Sequence, residues 1–150
     1  MTDATKKFQV EQYLRNGGLF DHFMPASQRF SFLEALKGEE ADFFIDNLWD
    51  LARAIRGIPV TYNTEEVATA DKVLHLHYFK GGVDAWIVER DVGDDQASDG
   101  LGQQLQAFGK ITVMGGGWRE AEWGYISIAE LIEAGVELDF YFEPRKVSEM

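Results

Sequence analysis

Apolar residues recur at helical spacing in the first third of the chain and at strand spacing in its second half. The clearest stripe is Phe44, Leu48, Leu51 and Ile55, at i, i+4, i+7 and i+11, widened by Ile45, Trp49 and Ala52. Glu39, Glu40 and Asp42 stand at its start and Arg53 and Arg56 at its end, the polarity a helix dipole favours, and Gly57 and Pro59 stop it. An opening helix is predicted over residues 5–15, closed by Asn16-Gly17-Gly18. A second is predicted up to Gly38, with Ser31 and Glu34 at capping-box spacing and Ser27 as a competing start. A connector over residues 59–71 has room for a short strand at 60–62.

From residue 73 the period changes to two. Leu74, Leu76 and Tyr78 fall on one face of a predicted strand and His75, His77 and Phe79 on the other. Lys80-Gly81-Gly82 turns the chain into a second strand over 84–90, as a hairpin. A polar loop over 91–104 leads to a third strand over 105–114, with Gly109 as the expected bulge. A fourth strand covers 122–126. Ser127 and Glu130 cap a short helix over 128–134 that Gly135 ends. The closing strand, 136–142, alternates with Val136, Leu138, Phe140 and Phe142 inward. These elements predict an α+β fold, with an antiparallel four- to five-stranded sheet from residues 72–144 packed against N-terminal helices from residues 1–58. The 150 residues are read as one domain, a size that buries about 70% of the unfolded surface.

Composition narrows the function classes. Cysteine is absent, which removes disulfides, thiolate zinc sites and cysteine nucleophiles and leans towards a reducing compartment. The first residues carry no apolar leader, and no apolar run approaches the roughly 20 residues of a membrane span, so a cytoplasmic protein is expected. Against 26 Asp and Glu stand 14 Lys and Arg, a net charge of −12. That balance disfavours direct nucleic-acid or anionic-membrane binding and suits a basic protein partner.

One stretch resembles a known family. His75 and His77, Asp84 and Trp86, Glu89 and Asp91, Phe108-Gly109, the run Glu122-Trp123-Gly124-Tyr125-Ile126-Ser127, Glu130-Leu131 and the closing Leu-Asp-Phe carry the likeness over residues 73–144. They resemble a family of small domains of unknown function borne by plasmids, phages and integrative elements, often near antirestriction genes or inside large multidomain phage proteins. The resemblance implies an element-borne accessory protein and transfers no catalytic residue. The helical first half departs from that family's short lead-in.

Candidate chemistry is sparse. His75 and His77, about 7 Å apart if both are on one strand face, suit two ligands of a metal such as zinc, with Glu89 or Asp91 as a third. A lone pair of this kind more often serves local hydrogen bonding, so no cofactor is expected. Glu89, Asp91 and Glu122, with Tyr125 as proton donor, have the residue types for acid–base work, although edge-strand carboxylates commonly only solvate a sheet. Gly115-Gly116-Gly117 reads as a turn, since Glu120 and Glu122 crowd it with negative charge. Trp86, Trp118 and Trp123 read as packing residues.

The acidic pattern says more. Asp42, Asp46 and Asp50 lie at i, i+4 and i+8, with Glu39 just below, and successive carboxylates would rise about 6 Å along the axis, near the phosphate spacing of a nucleic-acid strand. A second cluster comprises Glu89, Asp91, Asp94, Asp95 and Asp99. The leading expectation is a non-enzymatic interaction protein of a mobile element, DNA-mimic-like or antirestriction in action, that binds a basic host protein through Glu39, Asp42, Asp46, Asp50, Asp91, Asp94, Asp95 and Asp99. The alternative is a small metal-dependent hydrolase built on His75, His77 and nearby carboxylates.

Overall fold

A computed structural model describes residues 2–93 and 101–150. Three helices open the chain: α1 (Asp3–Leu14), α2 (Ala26–Ala35) and α3 (Ala41–Gly57), with a 3-10 turn over Leu19–His22 between the first two. Then follow β1 (Val73–Leu74), β2 (Leu76–Lys80), β3 (Val83–Glu89), β4 (Ala107–Thr112), β5 (Glu122–Ile126), α4 (Ile128–Glu133), β6 (Glu137–Leu138) and β7 (Arg145–Lys146). The fold is α+β. Five strands form an antiparallel sheet in the order β5-β4-β3-β2-β6, and β1 pairs with β7 in a separate ribbon. Among the described residues no helix is long and apolar enough to cross a membrane.

The inner face of the sheet meets the helices. Tyr78, Ala85 and Ile111 pair across β2, β3 and β4, Leu138 of β6 adds to the row, and all four join a cluster with Val10, Leu14, Leu48 and Ile55. Two polar contacts fasten the halves. The Tyr78 hydroxyl donates to the Phe23 carbonyl at 2.6 Å inside the core. Gln28 of α2 uses its amide like a strand: Nε2 donates to the Leu138 carbonyl at 2.7 Å and Oε1 accepts from the Leu138 N–H at 3.0 Å. The edge strand β6 is thereby satisfied by a helix side chain, which explains how two residues of strand persist at a sheet edge.

Several local expectations are corrected. α2 begins after Pro25, five residues before the expected capping box, and Ser31 lies within it, donating to the Ser27 carbonyl at 3.1 Å. A proline needs no N–H at a helix start, so Pro25 sets the boundary. The first strand breaks at His75, whose N–H donates to the Ile87 carbonyl at 2.8 Å. Leu74 consequently leaves the face of Leu76 and Tyr78 and packs with Trp86, Val88 and Ala121 in a second, smaller cluster. Phe142 also packs there, because the closing strand ends at Leu138 and Asp139 turns the chain by accepting from Tyr141 N–H at 3.1 Å.

The bulge lies opposite its expected place. The register advances from Ile87↔Gly109 to Glu89↔Phe108, so Val88 of β3 is the extra residue. Gly109 answers a different need: a Cβ there would sit 1.8 Å from the Trp86 carbonyl oxygen. Gly109→Ala should therefore push β4 from β3 and cost about 1–2 kcal/mol, read as a lower urea midpoint with unchanged slope. An unchanged midpoint would mean that the strands part without cost.

Candidate functional site

The outer face of the sheet carries the polar and aromatic residues. His77, Trp86, Lys110 and Trp123 pair across β2, β3, β4 and β5 and form one row. The 3-10 turn over Gly117–Glu120 lays Trp118 against this row, edge-on to Trp86 at 5.2 Å and to Trp123 at 6.1 Å. Lys110 Nζ sits 3.9 Å from the centre of the Trp118 ring. These indoles are packing residues, and the Lys110 charge rests on a π face.

His77 is the polar centre. Its Nε2 lies 2.7 Å from Asp84 Oδ1 and its Nδ1 3.0 Å from Asp139 Oδ2. The ring stacks on Trp86 at 4.8 Å with a 19° tilt. Each ring nitrogen is engaged by a carboxylate oxygen. The side chain thus ties β2 to the start of β3 and to the turn after β6. It has no nitrogen left for a metal ion or for taking a substrate proton.

His75 falls at the break between β1 and β2, where burial pushes its imidazole below the usual range. Glu89 is buried at 4% exposure: the bulge at Val88 sets it opposite Phe108, and the connector residues Tyr62 and Thr64 cover it. Its Oε1 accepts from Tyr62 N–H at 2.9 Å, and its Oε2 accepts from Thr64 N–H at 3.0 Å and from the Thr64 hydroxyl. Lys72 Nζ braces the same threonine, reaching its hydroxyl at 2.9 Å. Glu89 therefore holds the loop after Pro59. The structure does not assemble His75, His77 and Glu89: among the described residues no group of three or more His, Cys, Asp or Glu is placed to hold a metal ion.

The remaining acidic residues divide. Asp91 Oδ2 accepts from the N–H groups of Leu105 and Gln106 at 3.2 Å each, and Asp91 N–H donates to Gln104 Oε1 at 2.7 Å, so this carboxylate closes the base of a loop. Glu122 is exposed on edge strand β5. Asp94, Asp95 and Asp99 lie outside the described residues. The expected second acidic cluster accordingly loses Glu89 to the interior and gives Asp91 a structural task. On α3, in contrast, Asp42, Asp46 and Asp50 are all exposed, as is Glu39 before the helix. Among the described residues only Asp46 of these finds a partner, Lys6 Nζ of α1 at 2.8 Å. Three clefts of about 360 Å³ each border the N-terminal helices, and none of these three is lined by His77, Glu89, Asp91 or Glu122.

Two groups escaped sequence reasoning. Asp139 reads as the polar step of a closing strand, and its partner His77 is 62 residues away. Tyr62 sits in the connector, yet it is the one non-glycine residue with positive φ among those described, at 78°. No family model, curated protein or solved structure matches the chain.

Proposed function

We propose that this chain is a non-enzymatic interaction protein that binds a basic protein through the acidic face of α3. The observation that carries this reading is the contrast between two sets of carboxylates. Those near the histidines are committed to structural hydrogen bonds, whereas Asp42, Asp46 and Asp50 of α3, with Glu39 just before it, face solvent. Like charges repeated at i and i+4 oppose one another by a few tenths of a kcal/mol per pair, a cost that a cationic partner relieves. The rise of about 6 Å between successive carboxylates supports a DNA-mimic mode. The resemblance over residues 73–144 supports a setting on a mobile element and an antirestriction or anti-defence role against a host protein that grips DNA.

The test is capture from host lysate at low and high salt, followed by association rates for a charge-reversed variant. Asp42→Lys and Asp50→Lys are combined with Asp46→Asn, because a lysine at 46 would face Lys6. Association should slow about tenfold or more at low salt, and the difference should shrink as the screening length falls to about 8 Å at physiological ionic strength. Stability should hardly change, since exposed pairs such as Lys6–Asp46 contribute about 0–1 kcal/mol. A partner whose affinity ignores both salt and these substitutions would defeat the reading.

A further inference from the structure

We propose that Tyr62, Phe108 and Tyr125 form a receptor for one cationic side chain, arginine or lysine, presented by a partner protein. This rests on the reading that the partner is basic, and it names a second point of contact away from α3.

The rings are contiguous. Tyr125 lies edge-on to Tyr62 at 6.0 Å and to Phe108 at 5.7 Å, and Phe108 stacks nearly parallel to Trp123 at 5.9 Å and 13°. They sit at the open end of the outer face, on edge strand β5, its neighbour β4 and the connector loop. Tyr62 is 52% exposed and Tyr125 56%. The rest of this ring system already holds cations of its own. Lys110 sits over Trp118 and reaches Trp123 at 5.8 Å, and Arg145 covers Phe142 at 5.4 Å. Among the described residues no lysine or arginine covers Tyr62, Phe108 or Tyr125. The chain therefore shows twice on this face how its aromatics take a positive charge, and leaves the accessible third group open.

The surroundings favour the same sign. The Tyr125 hydroxyl is raised above the usual phenol range, first by a side-chain hydrogen bond to Tyr62, then by desolvation and by the charges of Tyr62, Glu65 and Glu89. Of these causes, the negative charges of Glu65 and Glu89 are the part that attracts a cation, and π faces add to it.

The position is also built. Tyr62 keeps a left-handed backbone that non-glycine residues adopt at a cost, and buried Glu89 supplies the acceptors that hold it there. Any residue could fill a surface connector; a constrained and half-exposed tyrosine gains its worth from where the ring stands.

The test uses the full chain, isotope-labelled, titrated with an octa-arginine peptide in low salt while ring and backbone resonances are followed. The ring signals of Tyr62, Phe108 and Tyr125 should shift saturably. Tyr125→Ala should weaken binding about two- to fivefold. Tyr62→Gly should weaken it similarly while holding or raising Tm, because glycine accepts positive φ freely; a purely structural tyrosine would not separate the two readouts. Shifts confined to α3, with both variants binding like the parent, would overturn this receptor and leave the acidic-helix reading standing. No shift anywhere would overturn both.

Discussion

Glu89→Ala is expected to destabilise the protein by about 3–5 kcal/mol, the largest effect of any single polar substitution considered. The change strands three buried or half-buried donors, the N–H groups of Tyr62 and Thr64 and the Thr64 hydroxyl. Each such group costs about 1–3 kcal/mol when it loses its partner. Part of the loss returns, because Tyr62 no longer has to hold φ at 78° and its loop can relax towards water. Glu89→Gln should cost less, since one amide oxygen still accepts on one side while the NH₂ faces a donor on the other. Thr64→Val should fall below both. It removes one donor to Glu89 and one acceptor of Lys72 but keeps the shape. Urea unfolding of the three variants gives the ranking. A loss below about 1 kcal/mol for Glu89→Ala would show that the loop stands without its carboxylate. Glu89 would then be free for chemistry, and the hydrolase alternative would regain its strongest residue.

How much of this was legible in the sequence depends on whether the cause was local. The stripe of α3, the Gly81-Gly82 hairpin, β5 and the Ser127 cap of α4 are each set by side chains within a turn or two, and all were found where the pattern placed them. The fold class followed from their order. The misplacements share a non-local origin. Leu74 has the right parity for the core, yet the chain breaks at His75, where a backbone bond to Ile87 redirects it. Glu89 belongs to a run of charge that reads as solvated, and it is buried by contacts from Tyr62 and Thr64, 27 and 25 residues earlier in the chain. His77 was legible as a candidate through its spacing to His75, but its partners are not that neighbour. Asp84 faces it across the hairpin and Asp139 arrives from 62 residues on. The acidic stripe on α3 was fully readable, since helical spacing alone fixes which carboxylates share a face.

Removing His77 should be the second most damaging polar change. His77→Ala is expected to cost about 3 kcal/mol, although the ring is not fully buried: His77, Asp84 and Asp139 side chains retain 15%, 25% and 28% exposure. Pairs at this depth fall between exposed ones, worth under about 1 kcal/mol, and buried ones, where deleting one partner costs about 3–5. Two terms compete to explain the loss. One is the ring's contact with Trp86 at 4.8 Å; the other is its bridge between two carboxylates. Phenylalanine separates them. If stacking dominates, His77→Phe should be close to the parent, because a ring still lies on the indole. If bridging dominates, His77→Phe should be as damaging as alanine, since Asp84 and Asp139 would both face an apolar ring. The geometry favours bridging, because Phe79 and Phe142 also flank the position at 5.8 Å and would leave the carboxylates no other donor side chain among these ring neighbours. The deciding variant joins His77→Phe to Asp84→Asn and Asp139→Asn. Removing the charges together with their partner should recover most of the loss, because a set of polar partners replaced as a whole leaves little unsatisfied. If the triple variant is no more stable than His77→Phe alone, the bridge is not what holds these strands, and the two aspartates keep His77 in place for a purpose other than stability.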